Sequence, residues 1–148
     1  MKIIESVRDY IGSLNCINTF AKAIGKKKIN VNVNYLGIDV NDFSIEEVPC
    51  EPVVKTYLDG SSVKQFQFTL CSRFTYGSEV LQNIENSNFY EDFSTEIEEN
   101  NLNDILPQLD GKLESNSIKI LTSAIVANET EDNCIYQIGL VLKYTKHI

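Results

Sequence analysis

Tryptophan is absent from this chain, histidine occurs once, and seven glycines and three prolines are spread over 148 residues. The one histidine, His147, stands next to last, where chains fray unless they are tied down. The usual base for a serine or cysteine nucleophile, which is also the commonest metal ligand, is therefore missing from the body of the sequence. Cys16, Cys50, Cys71 and Cys134 stand 34, 21 and 63 residues apart, so no C-x-x-C pair exists for a zinc knuckle or a thioredoxin-like motif. Neither G-x-x-x-x-G-K-S/T nor G-x-G-x-x-G occurs, which removes the common phosphate cradles. No apolar run approaches the ~18 residues of a membrane span. The opening Met1-Lys2-Ile3-Ile4-Glu5 meets an acid before a signal-like apolar stretch forms, which predicts a reducing compartment and free thiols packed as small apolar residues.

What is present is ordinary globular material: 43% hydrophobic and 23% charged residues, with a net charge of −8. A chain of this length forms one domain, residues 1–148, with a core that needs no staples. The acidic balance repels phosphate backbones and argues against nucleic-acid binding. The charge is unevenly placed. Residues 79–114 carry ten acidic side chains against the single base Lys112, whereas residues 1–28 carry six bases and two acids. Two solvated faces account for this, as do opposite patches that meet between neighbouring copies or on another component.

Ile3, Ile4, Val7, Ile11 and Leu14 fall at helical spacing, and Ile17, Phe20, Ala21 and Ile24 can extend that face until Gly25 and three lysines stop it. Asn30–Leu36 and Phe43–Val48 alternate as half-buried strands, with Pro49 ending the second. Val53–Leu58 and Val63–Cys71 flank Asp59-Gly60 and predict a hairpin, its turn either tight or spanning Asp59–Ser62. Ser78 as N-cap, followed by Val80, Leu81, Ile84, Phe89, Tyr90, Phe93 and Ile97, predicts a helix to about residue 99, kinked or broken by a phase slip near Ser87-Asn88. Ile118–Val126 and Cys134–Tyr144, joined by Asn128–Asn133, predict a last hairpin. The order predicts an α+β fold: an antiparallel or mixed sheet with two main helices packed on it.

Chemistry is hard to build from these residues. Glu46-Glu47, Glu91-Asp92 and Glu98-Glu99 are adjacent pairs that point apart on a strand or a helix, and the acids of Glu91–Glu99 predict a solvated helix face. Asp59-Gly60 resembles the end of a histidine-bearing acyltransferase motif, but the histidine is absent. Phe66, Phe68, Phe74, Tyr76, Phe89, Tyr90 and Phe93 fall at core spacings. The expectation is a protein that is not an enzyme and needs no cofactor or metal. Exposed candidates for partner contact are Lys26, Lys27 and Lys28 in the basic stretch, and Tyr57, Asp59 and Gly60 at the hairpin.

One block is more specific. Val48-Pro49-Cys50-Glu51-Pro52-Val53-Val54-Lys55-Thr56-Tyr57-Leu58-Asp59-Gly60-Ser61-Ser62, continuing through Gln65-Phe66-Gln67-Phe68, Ser72-Arg73, Tyr76-Gly77, Gln82-Asn83, Asn86 and Phe89-Tyr90, resembles the small tail-terminator (tail-completion) proteins of prophages and phage tail-like particles of Gram-positive bacteria. The resemblance extends more weakly over Asp42–Tyr144. It departs from the family in lacking a tryptophan near Phe93–Ile97 and in a longer stretch over Cys16–Lys28.

The resemblance implies a small α+β protein that forms a hexameric ring on the head-proximal end of the tail tube. Such a ring stops polymerisation of the tube and, in contractile tails, of the sheath. Its implied partners are further copies of itself, tube and sheath proteins, and neck or collar proteins, with no nucleic acid or membrane. The implied location is the bacterial host cytoplasm during assembly and then the collar end of the phage or bacteriocin-like particle. The neighbouring alternative is a neck or head-completion connector, or a minor capsid protein of the same particle.

Overall fold

The apolar stripe at the start of the chain folds as α1 (Ile3–Ser13), which buries Val7, Tyr10 and Ile11. The Lys2 backbone N–H donates to Glu5 Oε2 at 3.2 Å and ties its first turn. The helical face does not run on unbroken. Leu14 takes extended backbone angles (φ −63°, ψ 144°), and α2 (Asn15–Ala23) starts as a separate helix, so the described residues form three helices. The computed structural model describes residues 2–75, 80–129 and 133–148. Ser78 and Tyr76-Gly77 of the expectations above lie outside them, as do residues 130–132 of the last connection.

Strands β1 (Val31–Val33), β2 (Phe43–Val48), β3 (Val53–Thr56), β4 (Ser62–Thr75), β5 (Leu113–Glu129) and β6 (Asn133–Lys146) make one mixed sheet in the order β1-β2-β4-β6-β5, with β3 also paired to β4. The α+β class and the mixed sheet with helices packed on it are as expected. Pairs other than β1–β2 are antiparallel. β1 runs parallel to β2 and stops at Val33, short of the predicted Leu36. Asn34 (φ 53°) turns the chain out of β1 and Asn41 (φ 72°) turns it back. Asparagine visits this left-handed region more readily than most residues. Glu47 N–H donates to Asn34 Oδ1, and Asn34 Nδ2 donates to Glu47 Oε2, both at 2.9 Å.

Helix α3 (Val80–Leu102) is one continuous helix, which corrects the predicted break. Among its described side chains the buried positions are Asn86, Tyr90, Phe93 and Ile97, at spacings of four, three and four, so there is no slip in phase. The slip arises from reading Ile84, which is half exposed, as core and passing over Asn86. Asn86 is accepted in the interior because its Nδ2 donates to Thr75 O at 2.7 Å.

The helices cover one face of the sheet. Phe68, Leu70 and Phe74 of β4, alternate residues of β6 from Cys134 to Tyr144, and Phe43 and Ile45 of β2 form the core with Val7, Ile11, Ile17, Phe93 and Ile97. Phe20, Phe43, Phe74 and Phe89 touch in all six pairings, with centroids 5.3–5.9 Å apart. These aromatics are packing, each worth about 2–3 kcal/mol of burial. The uncovered face carries Gln67, Thr69 and Arg73 of β4 and Gln137 and Lys143 of β6, the polar half of each strand's alternation.

Candidate functional site

The three lysines are placed by the end of α2. Gly25 N–H donates to Lys22 O at 3.1 Å, Lys26 N–H donates to Ala21 O at 2.8 Å, and Gly25 sits at φ +78°. This pair of bonds around a left-handed glycine is the Schellman closure, and it turns the chain sharply out of the helix. Lys26, Lys27 and Lys28 follow, all exposed. Arg8 and Lys28 line one shallow cleft beside β1. Arg8 Nε donates to Val31 O at 2.6 Å, satisfying a carbonyl on the free edge of β1.

The hairpin forms as predicted, with a wider turn than either alternative. Thr56 pairs with Ser62, so five residues, Tyr57–Ser61, make the turn. Tyr57 N–H donates to Ser61 O at 2.8 Å and Gly60 N–H to Tyr57 O at 3.0 Å. Asp59 Oδ1 accepts from both Ser61 Oγ (2.6 Å) and Ser61 N–H (2.9 Å). Those bonds, the hydroxyl first, hold the Asp59 carboxyl below its ordinary range. Gly60 takes φ +94°, open to glycine and strained for other residues.

Every residue of β3 is exposed, Tyr57 is 43% exposed, and Leu58 at the tip is fully so. Lys55 Nζ lies 4.9 Å from the Tyr57 ring centre. Gln65 N–H and Nε2 donate to Pro52 O (2.9 Å) and Glu51 O (2.8 Å), anchoring the approach to β3. His147 Nε2 lies 2.8 Å from Glu114 Oε2, and His147 N–H donates to Lys112 O at 2.8 Å, so this histidine ties the end of β6 to the start of β5.

The sequence candidates do not converge. The lysine loop leads into β1, whose partner Phe43 pairs with Ser72, while the hairpin closes at Ser62. Ten residues of β4 separate the two levels, or ~30 Å along the strand. Tyr57, Asp59 and Gly60 share one end of the sheet, and Lys26, Lys27 and Lys28 lie towards the other.

A cleft of about 550 Å³ between α1, α3 and the segment at 105–108 is lined by polar groups that already have work. Tyr10 Oη donates to Ile105 O at 2.9 Å and accepts from Asn100 Nδ2 at 3.2 Å. Glu96 is not part of a solvated acidic face. Its carboxylate accepts the N–H groups of Asn15 (2.7 Å) and Cys16 (2.8 Å) at the start of α2. Burial, and then the Glu96 carboxylate, push the Cys16 thiol well above its ordinary value. Burial likewise pushes the Cys71 and Cys134 thiols up to about 11. All four cysteines are free. Among the described residues, no group of three or more His, Cys, Asp or Glu side chains is arranged to hold a metal ion, and no helix is long and apolar enough to cross a membrane.

Sequence reasoning missed two exposed apolar groups. Tyr35, Ile38 and Val40 project from the β1–β2 connection, and Ile84, Leu102, Leu121, Ile125 and Val126 lie on α3 and β5. The signal for Ile84 was its being out of step with Asn86, Tyr90, Phe93 and Ile97. No protein-family model matches the chain, and no curated protein matches it.

Proposed function

We propose that this chain is a structural protein that assembles as a ring on the head-proximal end of a phage or phage-like tail tube, stops its growth, and offers a docking surface to the neck. The observation that carries this reading is the β3–β4 hairpin. It extends the sheet with Val53, Val54, Tyr57 and Leu58 exposed, although apolar surface of this kind is stable in water only at a cost that a partner removes. β3 is a short, fully exposed strand on the edge of β4, which β6 pairs on its other side down to Ser62, and an edge strand that ends in an aromatic residue at the turn is suited to docking on another protein, by side-chain contact or by strand addition. The resemblance of Val48–Tyr90 to tail terminators names that partner as the tail tube or the neck.

The test is tail length by negative-stain electron microscopy in a strain lacking this gene. Overlong tails of widely varying length are the expected result. Tails of uniform normal length with detached heads would instead assign the chain to the neck or head-completion connector.

A further inference from the structure

The sheet order puts β1 and β5 on opposite edges, and exposed side chains of opposite charge lie towards each of them. On the β1 side stand Arg8, Lys26, Lys27 and Lys28. Helix α3, which reaches β5 through Asn101, has six acidic residues and no basic one, and three of the six, Glu85, Asp92 and Glu96, face α2. Its face towards α2 is marked by Glu85, Asn88, Asp92 and Glu96, which line a cleft with Cys16, Phe20 and Ala23. Its face towards β5 is marked by Asn101, whose Oδ1 accepts the Ile118 N–H at 3.0 Å.

At 100° per residue, Ile84, Glu91, Glu98 and Leu102 form one exposed stripe on the outer, β5-facing flank. Glu91 and Glu98 stand ~10 Å apart along the helix. Val126 of β5, opposite core-side Tyr136, adds exposed apolar surface on the helix-covered side of this edge, whereas Ile125 lies opposite Gln137 and so on the uncovered face. Four register shifts distort β5, and Asn101 occupies one of its edge amides, so generic strand-to-strand pairing is disfavoured there. What this flank offers is an acidic and apolar side-chain surface. The opposite flank offers a basic one.

We infer that these two flanks are the two halves of one contact between copies of this chain: the Arg8/Lys26–Lys28 flank of one copy docks on the Glu91/Glu98 flank of the next. Charge complementarity carries the choice of occupant. In a chain of net charge −8, four exposed bases on the β1 side, with Asp9 beside Arg8 and Lys28, are matched by the exposed Glu91/Glu98 stripe on the outer flank of α3, so each copy carries both the site and its complement. Such a contact is heterologous: it runs head to tail and closes only when its rotation returns to the start. The inference rests on the ring reading and supplies its lateral contact. It leaves the β3–β4 hairpin, ~30 Å along β4 from the level of the lysine loop, free for a different partner.

The experiment uses purified full-length protein and needs no tails, so it can fail while tail termination stands, and the reverse also holds. Sedimentation velocity is measured on the wild type, on K26E/K27E/K28E, on E91K/E98K, and on an equimolar mixture of the two variants. All the changed side chains are exposed, and circular dichroism confirms that each variant is folded. The wild type is expected to self-associate at low salt, about tenfold or more weakly at ~0.5 M salt. Each variant alone should remain monomeric at concentrations where the wild type associates. The mixture should associate, because the intact acidic flank of the first variant meets the intact basic flank of the second. A wild type that is monomeric at low salt up to its solubility limit would overturn the inference. A single variant that associates like the wild type, or a mixture that stays monomeric, would do the same.

Discussion

The Glu96 carboxylate of α3 accepts the backbone N–H of Asn15 at 2.7 Å and so caps a helix to which it does not belong. Leu14, the residue at the N-cap position of α2, has no side-chain acceptor for these amides, and Glu96 supplies one across the helix pair. Glu96→Ala should therefore cost about 1–2 kcal/mol, within the range for a lost N-cap, in the midpoint of urea unfolding. The same change removes the second cause of the raised Cys16 pKa. Alkylation of Cys16 in the folded protein should then be faster than in the wild type. A stability loss without faster Cys16 labelling would mean that the helix pair shifts as a whole.

Ser72 and Tyr90 form a second isolated relationship. Their hydroxyls are hydrogen-bonded to each other, both residues are buried, and the Tyr90 ring stacks on Tyr136 at 5.7 Å. Tyr90→Phe leaves the Ser72 hydroxyl buried and unpaired and should cost about 1–3 kcal/mol. Adding Ser72→Ala to Tyr90→Phe should recover part of that loss, because no unsatisfied group then remains. A double-mutant cycle by chemical denaturation measures the coupling, expected at about 1 kcal/mol. Strict additivity would show that the two hydroxyls are independently solvated.

Period-two and period-3.6 patterns made β2, the two hairpins, α1 and the core aromatics legible in the sequence, because in each the apolar residues alternate or recur in step with what is buried. The parts that were not legible depend on partners distant in sequence. Asn86 is polar yet buried because Thr75 offers its carbonyl, and Ile84 is apolar yet exposed, so a hydrophobicity pattern alone places a break where α3 is continuous. The parallel pairing of β1 with β2 hangs on the left-handed angles of Asn34 and Asn41. At the candidate surfaces, the lysines after Gly25 and the residues around Asp59-Gly60 could be read as exposed. Their separation along β4 could not, because strand register is set by the whole sheet.

Alkaline pH should unfold the protein through groups that the fold keeps protonated. The buried Cys71 and Cys134 thiols have an ordinary value of 9.0 and are raised to about 11 by burial. Between those values the unfolded chain loses protons that the folded chain keeps, so stability is fully present below pH ~9 and falls as pH rises towards ~11. Tyr10, Tyr90, Tyr136 and Tyr144, also raised mainly by burial, add to the loss above pH ~10. The urea midpoint should be flat from pH 7 to 8 and decline above 9. Replacing both Cys71 and Cys134 with alanine should reduce the slope between 9 and 11. For the same reason their alkylation at neutral pH should be about a hundredfold slower in the folded protein than for a free thiol, with all four cysteines reacting once urea unfolds it.

The hairpin tip separates stability from docking. Gly60 at φ +94° cannot accept a side chain without strain, so Gly60→Ala should lower stability by about 1–2 kcal/mol. A Cβ there would lie 3.6 Å from Ile148 Cδ1, an ordinary contact, so the cost comes from the backbone angle and not from a clash. Leu58→Ser and Tyr57→Ser act oppositely: both side chains face solvent, and replacing them should leave the unfolding midpoint within about 0.5 kcal/mol. If the hairpin is the docking arm, the pair Tyr57→Ser/Leu58→Ser should fail to restore normal tail length in a strain lacking the gene, whereas Gly60→Ala, tested below its melting temperature, should restore it in part. Normal tails from the folded double variant would remove the hairpin from the tail contact and leave it for the neck. The combination of unchanged stability and lost tail control is the outcome that an exposed apolar arm predicts and a merely structural hairpin does not.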